Sequence, residues 1–292
     1  MTFAKAKRLK EANMVETSAI PLGGKKDDDA LLEHRIDPVR ARLIMIAKRL
    51  ALFATLLLLW EAGVRYEAID PYFTSQPSQI FKRLYEWAVG GQLVQHVPIT
   101  VAEAVLGFIF GTIAGGITGF VFGWFEKVAD LLEPFIIAFY SLPKVALAPL
   151  FILWFGIGIE TKIILTATIV FFLVFFNTFA GVRDTSRELI DIVKLMGAGP
   201  VQVVWRVVLP SALTAIFVGL RVSVPYALIG AVVGEMMASN RGIGFLLTNS
   251  TGQFDTAGAF AALVLLVIIS TAFNAAIHAA EKYLLRWKKT QR

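Results

Sequence analysis

A chain of 292 residues that is 57% hydrophobic and only 17% charged carries too few charges for a water-soluble fold, in which about a quarter of residues are charged. The absence of cysteine excludes a disulfide framework, thiolate metal centres and a cysteine nucleophile. A net charge of +6 in so apolar a chain points to Lys and Arg that set orientation and meet lipid headgroups, not to nucleic-acid binding.

Residues 1–42 are polar, with KKDDD at 25–29, and read as a cytoplasmic tail with no secretory signal peptide. The run DPVRARLIMIAKR at 37–49 mixes basic and apolar positions and predicts an interfacial helix. Six apolar stretches then meet the requirement of about 20 residues for crossing roughly 30 Å of hydrocarbon. They lie near 43–64, 98–123, 134–156, 161–181, 212–234 and 258–284. Lys48 and Arg49 interrupt the first near its start, and Pro143 and Pro149 predict a bend in the third. No internal repeat is evident. The expected fold is therefore an all-α membrane protein: a transmembrane domain over 43–285 and a basic cytoplasmic end at 286–292.

Basic residues orient the spans. Eleven Lys or Arg lie up to Arg49, four in 182–211 and five after Ala280. Only three lie between the first two spans, and Arg241 alone between the last two. Both termini and the 182–211 connection are expected in the cytoplasm.

Gly107, Gly111, Gly115, Gly119 and Gly123 recur every fourth residue in the second span. On a helix they form one bare ridge, suited to close packing inside a subunit, or to a dimer seam or sliding surface. The buried charges singled out are Glu103, Lys144 and Arg221. An ionised group inside a bilayer is expensive, so these residues are candidates for a solute pathway, or else form structural pairs or snorkel. No catalytic constellation, metal cluster or phosphate-binding loop is present in the sequence, so ATP-driven work would need a separate ATPase chain. An intramembrane enzyme would need paired catalytic groups, which do not converge here.

The connection SRELIDIVKLMGAGPVQVVWRVVLP at 186–210 is too long and too patterned for a passive link. Ser186 suits a helix cap and Gly197 a left-handed helix end. Pro200 suits the first turn of a second helix, and Pro210 ends that helix or starts the next span. Leu189, Ile192, Val193 and Met196 predict one apolar stripe, and Val201, Val204, Trp205 and Val208 a second. Glu188, Asp191, Lys194, Gln202 and Arg206 fall elsewhere. Such a helix-turn-helix either docks into a soluble partner or lies in the interface as a hairpin.

This segment resembles the "EAA" loop of ABC importer permeases, whose pattern is E-A-A, three residues, Gly, nine residues, then I-x-L-P. Asp191, Ile192 and Val193 occupy the first slot, Gly197 the glycine, and Val207, Val208, Leu209 and Pro210 the last. Asp for Glu and two bulkier residues for Ala are the departures. The resemblance covers about 95–285, with the coupling loop at 184–211. SLPKVALAPLFILWFGIGIETKI, FFNTFAGVRD, GLRVSVPYALIGAVVGEM and GIGFLL are similar to the nitrate, sulfonate, taurine and bicarbonate branch. That branch also holds permeases for thiamine-precursor pyrimidines.

The resemblance implies a permease subunit in a bacterial inner membrane, working as a homodimer in contact with lipid. Two ABC ATPase subunits, which bind ATP and Mg, would dock on the loop around Glu188, Asp191, Gly197, Ala198, Pro200, Leu209 and Pro210. An extracytoplasmic substrate-binding protein would deliver a small solute, either an anion such as a sulfonate, taurine, nitrate or bicarbonate, or a pyrimidine. This chain itself would bind no cofactor or metal and would not be an enzyme. An ATP-independent secondary transporter is the alternative of a different class; it would show repeated halves with discontinuous helices in matching positions.

Overall fold

The computed structural model describes residues 38–285. Most of the polar tail and the basic C-terminal end lie outside the described residues. The chain divides between Trp60 and Glu61 into two units. Helix α1, Pro38–Arg65, supplies the described part of the first unit up to Trp60, and its last five residues belong to the second. It runs through Lys48 and Arg49 without interruption, so the expected interfacial helix and first span are one helix. Lys and Arg break a run of hydropathy but are good helix formers, which leaves the backbone regular.

The second unit is helical throughout its regular structure. In chain order it contains α2 (Pro71–Thr74), α3 (Pro77–Val89), α4 (Gln92–Trp124), α5 (Glu126–Ser141), α6 (Ala148–Phe155) and α7 (Ile159–Arg183). After these come α8 (Arg187–Leu195), α9 (Pro200–Val203), α10 (Leu209–Ala238), α11 (Ile243–Gly252) and α12 (Thr256–Leu284). Among the described residues, five helices are long and apolar enough to cross a membrane, or six if the α5–α6 pair counts as one broken span.

Helix α7 is the centre of the second unit, held between α4 and α10. The glycine ridge of α4 lies against α7 of the same chain. A Cβ added at Gly115 would fall 2.4 Å from the Phe171 carbonyl oxygen, and one at Gly107 2.4 Å from Thr166 Cβ. Helix α10 approaches α7 in the same way: a Cβ at Gly230 would lie 2.8 Å from Thr166 Cα. Bare backbone on α4 and α10 lets three long helices meet almost main chain to main chain, where dispersion supplies the attraction that lipid removes from the hydrophobic effect. Phe108, Val170, Val174, Val224 and Ala227 fill the space between the ridges.

The third expected span is broken. The two halves, Lys127–Ser141 and Lys144–Phe155, meet at 79°. Leu142 precedes Pro143 and is extended at φ −67°, ψ 134°, because the proline ring disfavours the helical conformation of the residue before it. A single 3₁₀ turn, Lys144–Leu147, restarts the chain into α6. Gly156 at φ +80° ends α6.

Candidate functional site

At one end of the bundle, the 186–208 segment folds back on the core. The Ser186 hydroxyl accepts from Leu189 N at 3.4 Å and caps α8. At the other end of α8, Gly197 takes φ +87°. Ala198 N donates to Val193 O at 3.2 Å, and Gly197 N to Lys194 O at 2.9 Å. These are the bonds of a Schellman closure, which favours glycine at the left-handed position. Pro200 then opens α9, and the Gln202 side chain accepts from Gly199 N at 3.2 Å.

The packing of this segment divides both expected stripes between the core and the surface. Val193 turns inward with Ile190 and Ala198 against Val182, Val203, Val208 and Ala212, while Leu189, Ile192 and Met196 stay exposed. In the second half, Val203, Val207 and Val208 are buried, whereas Val201 and Trp205 are exposed. A five-residue π-helical turn at Val204–Val208 carries Val207 and Val208 together on the buried side. The extra residue in that turn advances the following side chains around the helix, and it leaves no periodic mark in sequence. Helix α10 continues directly from Leu209 and Pro210, so Pro210 opens the next helix. Leu195 and Met196 are 88% and 81% exposed, beside exposed Glu188, Asp191, Lys194 and Arg206.

The opposite end holds a buried polar cluster. Glu103 of α4 and Glu235 of α10 lie side by side, with 0% and 1% of their surface exposed. Lys162 of α7 places Nζ 3.2 Å from Glu103 Oε1 and donates to Ser239 Oγ at 2.8 Å. Thr100 Oγ1 donates to Glu235 Oε1 at 2.6 Å. Three backbone amides at the start of α11 end on this cluster: Gly242 N on His96 Nδ1 at 2.9 Å, Ile243 N on Thr100 Oγ1 at 2.8 Å, and Gly244 N on Glu235 Oε2 at 2.6 Å. A helix start leaves such donors without intrahelical partners. Here side chains from α4 and α10 satisfy them and tie α11 to the bundle. A cleft of about 590 Å³ opens beside the cluster, between Ile99, Glu103, Ile159, Lys162, Ser239 and Arg241.

The three charges singled out in the sequence are therefore not brought together. Glu103 belongs to the buried cluster. Arg221 on α10 pairs with Glu281 and His278 of α12. Lys144 stands at the break between α5 and α6, where it donates to the Tyr140 carbonyl. Its Nζ lies 4.2 Å from the Tyr140 ring centroid and 4.9 Å from that of Phe172. Sequence reasoning missed Lys162 and Glu235. Both stand at span edges: Lys162 just inside the expected fourth span and Glu235 just past the expected end of the fifth. A search for oppositely charged residues at span ends on the same side of the bilayer could have found the pair. Among the described residues, no group of three or more His, Asp or Glu is placed to hold a metal.

Comparison with known proteins gives this architecture its place. The family model for binding-protein-dependent transport system inner membrane components matches residues 105–289. The formylaminopyrimidine transport permease of Halalkalibacterium halodurans is 34% identical over 239 residues, covering 82% of this chain and 95% of that protein. The riboflavin transport system permease of Chloroflexus aurantiacus is 35% identical, covering 80% and 87%. The taurine transport system permease of Escherichia coli is 29% identical, also covering 80% and 87%. Among solved structures, the methionine ABC transporter MetNI in an inward-facing form is similar at a TM-score of 0.58 and 19% identity, covering 67% of this chain and 97% of that chain. That likeness supports the fold. The chain is a multi-pass membrane permease subunit of an ABC importer for a small solute, with ATP hydrolysis left to a separate subunit, and it belongs to the binding-protein-dependent transport system inner membrane component family.

Proposed function

We propose that the 186–208 segment is the surface through which an ABC ATPase drives this permease. The observation that carries the reading is the exposed apolar crest of Leu189, Ile192, Leu195 and Met196 on a helix capped at both ends. Its scaffold is fixed by buried Val203, Val207 and Val208. A capped helix with its apolar crest exposed at the end of a rigid bundle suits insertion into a cleft of a soluble partner. Force can pass from it as a rigid-body shift, because its Val193 and Ile190 pack on Val203 and Val208, from which α10 continues without a loop.

In the complete importer, two copies of this chain form the pathway in a bacterial inner membrane. Two ATPase subunits carrying ATP and Mg dock on the cytoplasmic side. A binding protein delivers solute to the opposite side, where the buried cluster secures α11. Both chain termini are cytoplasmic. Moving such a pathway almost completely between two states needs a differential of about 5 kcal/mol, on the scale that ATP and a loaded binding protein together supply.

The solute is a small anion or a planar pyrimidine-like compound. Two relatives more than 30% identical to this chain carry heteroaromatic solutes in their names. The test is purification from native membranes in mild detergent, with partner identification and an ATPase assay. The expected result is co-purification of an ABC ATPase. A stable permease that captures no ATPase and transports in liposomes on an ion gradient alone would contradict the reading.

A further inference from the structure

We propose that the ammonium of Lys144 and the rings of Tyr140, Phe172 and Phe176, gathered at the break between α5 and α6, form a contact site for a planar heteroaromatic solute on the translocation pathway. The inference rests on the importer reading above and names the solute class for it.

Depth is the first argument. Helix α7 spans Ile159–Arg183, so Phe172 stands one residue past its midpoint, within about 2 Å of mid-height at 1.5 Å per residue. Lys144 Nζ is 4.9 Å from that ring. The ammonium is therefore held near mid-height of a helix long and apolar enough to cross a membrane, too far from either end for a long side chain to snorkel. A cation at that depth faces protein or a water-filled passage, not lipid.

Partnership is the second argument. Glu103 is taken by Lys162, and Glu281 by Arg221. Among the described residues, no carboxylate forms an ion pair with Lys144, which donates to the Tyr140 carbonyl. An ammonium has three donors, so this bond at the end of α5 leaves capacity for a further acceptor. The end of α5 also has carbonyls outside the helical ladder, which can accept from amide or amino groups.

The rings are the third argument. Tyr140 stands 4.7 Å from Phe176, edge to face, and 6.2 Å from Phe172, tilted. Tyr140 is 44% exposed, and Lys144, Phe172 and Phe176 are part-exposed. A planar solute with a ring carbonyl or deprotonated nitrogen gains a bond from Lys144 and stacking from these faces. An alkyl sulfonate would use only the ammonium. The interrupted helix suits such a site, since discontinuous spans near the bilayer midplane recur as solute sites in transporters.

The test uses the permease with its co-purified ATPase in lipid nanodiscs, with riboflavin, formylaminopyrimidine and taurine as probes. At least one of the two heteroaromatic probes is expected to bind, and taurine is not expected to displace it. Lys144→Met, and separately Phe172→Leu with Phe176→Leu, should each weaken that binding by about tenfold, the scale of one desolvated cation–π or stacking contact. Lys144→Arg should retain most of it. Equal recovery of the ATPase with each variant reports intact folding. The proposal is overturned if neither heteroaromatic probe binds, if taurine displaces them equally, or if Lys144→Met leaves binding unchanged. Failure of any ATPase to co-purify is scored separately and counts against the importer reading.

Discussion

The two ends of the α4–α7–α10 bundle solve opposite problems with the same three helices. One end hides charge: Glu103, Lys162 and Glu235 are almost fully buried, and Glu235 with Thr100 and His96 holds the start of α11. The other end displays apolar surface: Leu195 and Met196 stand out from a helix with no buried residue. A cluster that is costly to bury is retained where it fixes one arrangement. An apolar crest is left exposed where another surface can cover it. Exposure and burial at the two ends follow mechanical task more than local hydropathy.

The sharpest way to break the contrast is to remove the cation from the sealed end. Lys162→Met leaves two adjacent buried carboxyl groups without their ion-pair partner. Breaking a buried pair in this way costs about 3–5 kcal/mol. The variant should show a lower unfolding temperature in detergent, and adding Glu103→Gln should recover part of the loss. A double variant no more stable than Lys162→Met alone would show that the ion pair does not hold this end.

The next effect falls on the scaffold that joins the ends. Gly115→Ala places a Cβ against the Phe171 carbonyl and should destabilise by about 1–3 kcal/mol through overpacking. Gly116→Ala, one residue on, meets only Val174 at 4.0 Å and should be near neutral. Thermal unfolding of the two variants separates a packed ridge from a general sensitivity of α4.

At the displayed end, the expected cost moves from stability to function. A Cβ at Gly197 meets nothing within 4 Å, yet φ is +87°, so Gly197→Asp strains the turn by about 1–2 kcal/mol without a clash. Insertion and yield should survive, while solute uptake in cells is lost. Normal uptake would remove the coupling role from this turn. The smallest stability change belongs to Leu195→Ser, at most about 0.5 kcal/mol for an exposed site. Its readout is weaker retention of the ATPase on purification.

Much of this architecture was legible because a bilayer demands long apolar helices, and hydropathy reports length directly. The glycine spacing in α4 announced a bare ridge, but its partner required the fold: either packing in one chain or a dimer seam fits the same five residues. Prolines 143 and 149 foretold a bend, though not that it would bring Lys144 to Tyr140 and Phe172. The sealed end was the hardest to read. Thr100 and Glu235 are 135 residues apart, and Glu235 lies just past the last residue expected in its span. In the 186–208 segment, the caps at Ser186 and Gly197 were local and readable. The π turn was not, and neither was which side of each apolar stripe would pack on the bundle.

The absence of cysteine from the chain allows the most direct measurement on the central claim. A single M196C substitution carries a photo-activated maleimide crosslinker on the exposed crest, and L153C carries it on the exposed face of α6. Both are illuminated in native membranes. If the 186–208 segment couples this permease to its motor, M196C should join an ABC ATPase subunit, and L153C should not. Lipid adducts alone from M196C, at ATPase levels sufficient for uptake, would contradict the account and leave the crest as an interfacial anchor.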